Sequence, residues 1–243
     1  MSALIIGGTH GLGLQLAREA LRRGIEPIIT GRDVRDTYIV DGTPVRYIDM
    51  TVENEDSVAD GIARLRTQPS LAIRQLFFLP ALHLRGVFAQ QSAQEAEALF
   101  RVAVFGLMNV VRHFHRMKGR PYHFIPIGST SAWRIRKDES VYGCVKACQA
   151  KFAYDFHQEL RRDLPGSRTL LAQPGGMNTE LWTNTATDAS QFLDPALVAR
   201  IIWEEIVDQE QDLRPEEQGI RELHILREAD GSARLERGAK PIQ

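Results

Sequence analysis

The fold is decided by one stretch near the start of the chain, Ala3-Leu4-Ile5-Ile6-Gly7-Gly8-Thr9-His10-Gly11-Leu12-Gly13. An apolar run leads into glycines, and residues 11–23 then follow an amphipathic helical pattern. Glycines let the backbone turn sharply and approach a pyrophosphate, and the free N–H groups and dipole at a helix start attract its negative charge. The glycine spacing is Gly-x-x-x-Gly-x-Gly, not the Gly-x-Gly-x-x-Gly of the common dinucleotide fingerprint. The stretch predicts a nucleotide-binding turn, with a ligand-free turn and a methyltransferase loop as alternatives.

Apolar runs alternate with amphipathic stretches along most of the chain. Strands are predicted at residues 3–6, 25–30, 45–48, 75–79, 123–127, 169–172 and 223–226. Helices are predicted at residues 11–23, 54–66, 93–115, 141–164 and 195–209. Because the strands are apolar throughout, they fit a parallel sheet that helices cover on both faces. The sequence therefore predicts a doubly wound α/β fold in a single domain over residues 1–243.

One connection in this pattern is too short for a crossover helix. Residues 32–45 join the second and third predicted strands and carry the turn pair Asp41-Gly42 and then Pro44. We expect a short turn or a small hairpin there.

Composition excludes several classes of protein. With 243 residues, 43% of them hydrophobic, the chain has enough material for one or two cores. A formal net charge of -1 provides no overall attraction to nucleic acid or anionic lipid. No apolar run approaches the roughly 20 residues that span a bilayer, and no secretion signal is visible. We expect a cytoplasmic protein without a disulfide framework, since Cys144 and Cys148 lie in one helical pattern, and without a metal site.

The end of the second strand indicates which nucleotide is bound. A carboxylate at this position accepts hydrogen bonds from a ribose diol, whereas an arginine fork suits a 2′-phosphate. The chain has Arg32 there, with Asp33 only after it, and His10 adds a donor nearby. These residues favour NADP(H) over NAD(H) and weaken the methyltransferase alternative. A plain solvated arginine beside Asp33 is the competing interpretation.

A serine, a tyrosine and a lysine follow the fifth predicted strand in a suggestive pattern. Ser129 ends that strand, and Tyr142 and Lys146 stand four residues apart on the next helix, so they share a face. A phenol has a pKa of about 10, and a neighbouring cation lowers it toward the range useful for proton transfer. A half-buried tyrosine beside a lysine that extends to solvent is the competing explanation.

Together, the glycine loop, Ser129, the Tyr142-x-x-x-Lys146 pair and the segment from Pro174-Gly175 to Thr179 resemble the short-chain dehydrogenase/reductase family in its single-domain branch. The resemblance implies a Rossmann-like fold and a homodimer or homotetramer. It implies that Tyr142 is the general acid/base, that Lys146 tunes it and holds the nicotinamide ribose, and that Ser129 orients the substrate oxygen. The implied cofactor contacts are Gly7, Thr9, His10, Gly11, Leu12, Gly13, Arg32, Asp49, Met50, Tyr142, Lys146, Pro174, Gly175 and Thr179.

Two positions and the short connection over residues 32–45 depart from the family pattern. The polar segment that usually follows the fourth strand is Leu79-Pro80-Ala81-Leu82, and the helix asparagine that completes the catalytic tetrad is replaced by Ala103, three residues before Gly106. In the family that asparagine orders a water in a proton relay from the lysine. Its loss bears on turnover.

The resulting expectation is an NADP(H)-dependent oxidoreductase that interconverts a ketone or aldehyde and an alcohol on a small organic substrate. The alternatives are a dinucleotide-binding sensor with weak or lost catalysis and a reductase of C=C bonds. Residues 180–194 are expected to form a lid over the substrate. Arg134 and Arg136 could border the substrate, although loop arginines are more often solvated.

Overall fold

The computed structural model describes residues 1–35, 37–67, 71–183, 187–212 and 219–241. Its strands are β1 Ser2–Ile6, β2 Glu26–Gly31, β3 Thr37–Val40, β4 Thr43–Asp49, β5 Ile73–Phe78, β6 His123–Pro126, β7 Arg168–Pro174, β8 Ile220–Arg227 and β9 Ala233–Arg237. Its α-helices are α1 Gly11–Arg22, α2 Glu55–Arg66, α3 Ala93–Phe100, α4 Gly106–Met117, α5 Ser140–Asp163 and α6 Pro195–Gln211.

All of these strands join one sheet in the order β3-β4-β2-β1-β5-β6-β7-β8-β9. The strands from β4 to β8 are parallel, and β3 and β9 add antiparallel edges. The chain passes from β1 to β2 on one side and later returns to β5 on the other side of β1. The strand order therefore reverses at β1, and a crevice forms there at the carboxyl ends of the strands. The predicted doubly wound fold is confirmed.

Alternate side chains of the strands build two buried layers. Ile5 lies in the layer shared with α1 and α6, which includes Leu16 and Trp203, whereas Leu4 and Ile6 lie in the layer beneath α2, α4 and α5. The apolar character of the strands reflects this burial on both faces. No helix in the described ranges is long and apolar enough to cross a membrane.

The short third connection is a hairpin, one of the two forms predicted. β3 pairs with β4 through the two-residue turn Asp41-Gly42, whose φ values of 48° and 81° are both left-handed. A turn of this kind matches the twist of the strands and favours Asp-Gly. The strand β9 was not predicted. It pairs along β8 at the opposite edge of the sheet.

The long helix predicted at residues 93–115 is divided in two. α3 ends at Phe100, a π-helical segment spans Arg101–Phe105, and α4 begins at Gly106. A π segment shifts the backbone hydrogen-bond register, and such segments are often found at functional sites. Ala103, the position that departs from the family pattern, lies inside it.

Candidate active site

The glycine loop is pinned over the carboxyl ends of β1 and β2. The Gly7 N–H donates to the Thr30 Oγ1 at 3.1 Å, and the Gly8 N–H donates to the Thr30 carbonyl at 3.1 Å. Gly7 and Gly11 have left-handed φ values of 82° and 49°. A Cβ on Gly13 would lie 2.1 Å from the Gly7 carbonyl oxygen, so only glycine lets α1 start this close to β1.

The first turn of α1 leaves backbone N–H groups free to bind an anion. The residue before the helix, His10, makes no side-chain cap, and the first turn contains no acidic residue. The His10 Nδ1 is instead 2.8 Å from the Thr9 Oγ1. Uncapped N–H groups at the positive end of a helix dipole form a ready cradle for phosphate. The loop therefore fits the pyrophosphate of a dinucleotide.

Two adjoining hollows extend from this loop along the edge of the sheet. The first, of about 310 Å³, reaches outward past Arg32 and Asp33 and includes Thr9 and the buried Met50. The second, of about 260 Å³, reaches inward to Tyr142 and Lys146 and is lined by Leu12, Gly13 and Thr179. Gly7, His10, Pro80 and Ala81 line both hollows. They form one groove from β2 to α5.

In the described structure, one charged side chain at the outer end of the groove is in an ion pair and another is not. Asp33 forms an ion pair with Arg35, whose guanidinium lies 5.4 Å from the Tyr47 ring centroid. Arg32 is exposed, and none of the carboxylates that the structure describes forms an ion pair with it. The positive charge of Arg32 is thus available to a ligand, while the negative charge of Asp33 is paired with Arg35.

Asp49 is a predicted contact that the structure does not bring to this groove. Its carboxylate pairs with Arg64 at 2.7 Å, and Arg64 also donates to the Asp49 carbonyl at 3.0 Å. The hydrogen bond from Arg64 lowers the pKa of Asp49. The two residues face a separate hollow on the α2 side. The neighbouring Met50 lies in the groove instead.

Ser129, Tyr142 and Lys146 meet at the inner end of the groove. Ser129 follows β6, and its hydroxyl forms hydrogen bonds with the Ser131 N–H, at 3.1 Å, and with the Tyr142 phenol. Lys146 lies one turn after Tyr142 on α5, with its Nζ 5.8 Å from the phenol ring centroid. Tyr142 and Lys146 are 7% and 3% exposed, so a snorkelling lysine is excluded.

A further cavity of about 240 Å³ opens on the other side of Tyr142. The predicted residues Pro174 and Gly175 lie in its wall, where β7 ends, together with Ser129. Thr179 lines both this cavity and the groove, and its methyl group would be 3.3 Å from a Cβ on Gly11. Tyr142 also lines both spaces. The phenol therefore stands between the groove and this cavity, which we call the substrate cavity.

The chain matches a known protein family. A model of the short chain dehydrogenase family matches residues 1–190. The chain belongs to this family. A short-chain dehydrogenase of Neurospora crassa is 29% identical over 189 residues, which cover 75% of this chain and 63% of that protein. The chain thus spans less than two thirds of the length of that relative.

Solved structures of the family share the fold. An alcohol dehydrogenase from Thermococcus sibiricus, complexed with 5-hydroxy-NADP, has a TM-score of 0.75 and 17% identity. The match covers 92% of this chain and 95% of that one. A short-chain dehydrogenase/reductase from Burkholderia phymatum, in complex with NAD, has a TM-score of 0.75 and 16% identity, with 86% of each chain covered. The neighbours of this short-chain dehydrogenase thus include complexes with either nucleotide.

Sequence reasoning missed Gln149, which lies one turn beyond Lys146 on the same face of α5. The Lys146 ammonium donates to the Gln149 Oε1 at 2.8 Å and to the Ile127 carbonyl at 3.2 Å. The Gln149 Nε2 donates to the Ala103 carbonyl at 2.7 Å. Gln149 is 1% exposed. The amide therefore joins the lysine of this dehydrogenase to the π-helical segment, although Ala103 itself has no polar side chain.

Burial sets the protonation of both groups on α5. It lowers the pKa of Lys146 to about 7, because a buried ammonium loses its hydration. Burial also raises the pKa of Tyr142, and this exceeds the lowering effect of the hydrogen bond with Ser129. The phenol thus retains its proton through neutral pH. The protonated phenol is suited to donating a proton to a substrate oxygen.

His83 was also missed, because no sequence pattern marks the segment after β5. Its imidazole is buried and packs against the Tyr142 ring at 4.9 Å and the Trp182 ring at 4.5 Å. Neither ring nitrogen has a hydrogen-bond partner in the described structure, and the Glu139 carboxylate lies 3.9 Å from the Nε2. His83 therefore offers polar atoms to the substrate cavity.

The segment predicted as a lid borders the same cavity. Its Trp182 donates to the Met177 carbonyl at 2.7 Å and packs on Phe192 at 5.1 Å. Residues 184–186 lie outside the described residues. The role of residues 180–194 as a lid stays a prediction. Within the described ranges, no cluster of three or more His, Cys, Asp or Glu residues is arranged to hold a metal.

The Gln149 bridge predicts a measurable stability effect. Gln149→Leu leaves the buried Lys146 ammonium and the Ala103 carbonyl each without one partner, so we expect the free energy of unfolding to fall by about 1–3 kcal/mol. Urea denaturation at pH 7 measures this change. The control is Gln158→Leu, the same substitution at an exposed position of α5, which should change stability by less than about 0.5 kcal/mol. Equal effects of the two variants would contradict the bridge.

Proposed function

We propose that this short-chain dehydrogenase is an NADP(H)-dependent oxidoreductase that interconverts a ketone or aldehyde and an alcohol on a small organic substrate. The observation that supports this best is the position of the Tyr142 phenol, which lines both the cofactor groove and the substrate cavity. A group at that boundary reaches a substrate oxygen while the reacting carbon faces the cofactor. The roles of Ser129, Tyr142 and Lys146 that the family resemblance implies are part of this proposal.

When bound, the nicotinamide supplies or accepts the hydride at the reacting carbon. The chain itself handles the substrate oxygen and its proton. Ser129 donates a hydrogen bond to that oxygen, and Tyr142 gives it a proton during reduction or removes one during oxidation. Lys146 is held by Ile127 and Gln149, and its protonated form places a cationic charge behind the phenol. That charge stabilises the phenolate that forms as the proton leaves.

The nucleotide preference is proposed from the outer end of the groove. Arg32 faces the ligand without a described carboxylate partner, and Arg35 neutralises the acid that would otherwise favour a ribose diol. A guanidinium binds a phosphate through charge-assisted hydrogen bonds. NADP(H) is therefore favoured over NAD(H), with His10 as a second donor.

Removal of the phenol hydroxyl tests the chemistry. Tyr142→Phe is expected to lower kcat for carbonyl reduction by at least about a hundredfold, because general acid catalysis contributes 10²–10⁴-fold. Nucleotide affinity, measured by fluorescence titration, should change less than about threefold. Tyr154→Phe is the matched control on α5, since its hydroxyl bonds to Glu222 away from the groove. Full turnover in Tyr142→Phe would refute the mechanism, and nucleotide binding without turnover of any carbonyl or alcohol would favour the sensor alternative.

The raised pKa of Tyr142 predicts different pH trends for the two directions. Below the folded-state pKa the phenol carries its proton, so reduction has its donor throughout neutral pH. Oxidation requires the phenolate, whose fraction grows as the pH rises toward that pKa. We expect kcat for alcohol oxidation to rise relative to kcat for reduction between pH 7 and 9, because the loss of the Lys146 charge above its pKa of about 7 removes the same stabilising cation from both directions. A ratio of oxidation to reduction that falls over this interval would contradict the assignment.

Loss of Arg32 tests the nucleotide preference. Arg32→Ala should weaken NADP(H) binding by about 10- to 100-fold, because one charge-assisted contact contributes about 1.5–3 kcal/mol. NAD(H) binding should change less than threefold. Arg116→Ala, at an exposed arginine on α4, controls for the loss of one positive charge. Calorimetric titrations of the unaltered protein and both variants measure the affinity for each nucleotide, and an equal loss for both nucleotides in Arg32→Ala would remove the basis for the preference.

A further inference from the structure

Three arginines line the substrate cavity beyond Tyr142. Arg134 and Arg136 come from the segment after β6, and Arg227 ends β8, so the cavity brings together arginines that are distant in sequence. None of the three forms an ion pair with a carboxylate in the described part of the chain. This convergence is a tertiary feature, which a run of basic residues on an exposed loop would not produce.

The contacts of these arginines leave their charges uncompensated. The Arg134 guanidinium stacks 4.8 Å from the Trp133 ring centroid. Arg136 donates to the Thr130 Oγ1 at 3.3 Å, and Arg227 donates to the Gln191 carbonyl at 2.7 Å. Neutral partners orient the side chains and use only part of the five donors that each guanidinium has. The remaining donors are available to a ligand.

The acid in the cavity wall does not balance this charge. Glu139 is the one carboxylate among the described residues that line the cavity, and it accepts a hydrogen bond from the Ser131 Oγ at 2.9 Å. Three guanidinium groups and one carboxylate leave a positive cavity. The pKa of Arg134 is lowered, first by burial and then by the nearby charges of Arg136 and Arg234.

The wall of the cavity combines reacting, charged and apolar side chains. Ser129 and Tyr142 provide the reacting groups, the arginines provide the charge, and the apolar side chains of Met177 and Phe192 share the wall with them. A volume of about 240 Å³ lies below the 300–1,000 Å³ typical of pockets for drug-sized ligands. The occupant is therefore a small molecule.

We infer that the substrate of this dehydrogenase carries an anionic group, a carboxylate or a phosphate, in addition to the carbonyl or hydroxyl that reacts. The anion binds to Arg134, Arg136 and Arg227, and a short carbon chain places the reacting oxygen at Tyr142 and Ser129. This inference rests on the proposed function, because it takes the Tyr142 side of the cavity as the reacting end.

The test uses matched substrates that differ only in charge. A series of oxo-carboxylates with one to four carbons between the two groups is assayed with NADPH, each beside its methyl ester, and the corresponding oxo-alkyl phosphates form the second anionic arm. We expect kcat/KM at least tenfold higher for an anion than for its ester, and the better anionic arm identifies the group. Esters reduced as well as the acids would overturn the inference while leaving the proposed function intact.

Variants separate anion recognition from catalysis. Arg227→Gln and Arg134→Gln should each lower kcat/KM at least tenfold for the anionic substrate and less than threefold for the ester. Arg116→Gln, far from the cavity in the fold, should affect neither. A uniform loss on both substrates would overturn the inference, since it would indicate a structural role.

Binding provides a readout that does not need turnover. Unreactive short-chain carboxylates and alkyl phosphates should quench tryptophan fluorescence, because Trp133 and Trp182 are next to or within the cavity, and Arg227→Gln should weaken the binding at least tenfold. Anion binding without turnover of any substrate would refute the proposed function and support the anion site. If the esters are reduced, the absence of both anion binding and a preference for the anionic substrates would refute the anion site and leave the proposed function intact.

Discussion

The groove depends on the close approach of α1 to the end of β1. A Cβ at Gly13 would overlap the Gly7 carbonyl oxygen, so the absence of a side chain lets the helix begin directly above the strand. This placement aims the uncapped start of α1 along the carboxyl edge of the sheet. Because the strand order reverses at β1, the loops on either side separate there and leave the groove open.

A second constraint acts at the inner end of the groove, where a lysine is buried. An ammonium without hydration is costly, and the chain offsets this cost with two acceptors and a lowered pKa. One acceptor belongs to Gln149, which in turn occupies the carbonyl of Ala103. In this chain the amide of a neighbouring helix thus supplies a polar link at the place where the family pattern has an asparagine.

Charge is distributed unevenly along this path, although the chain as a whole is close to neutral. Arg32 stands at the outer end of the groove, Lys146 at its inner end, and the arginines of the substrate cavity beyond Tyr142. Each of these cations faces a space large enough for a ligand. The useful electrostatics of the molecule are therefore local, and net charge carries no information about them.

Local periodicity, turn chemistry and helical spacing account for the α/β class, most strands and helices, the turn at Asp41-Gly42 and the pairing of Tyr142 with Lys146 on one helix face. The grouping of Ser129 with that pair follows from the family resemblance. Packing between elements places Asp49 against Arg64, Gln149 against Ala103, and Arg227 in one cavity with Arg134. Those contacts connect residues on different elements. They depend on how strands and helices pack, which short-range patterns do not encode.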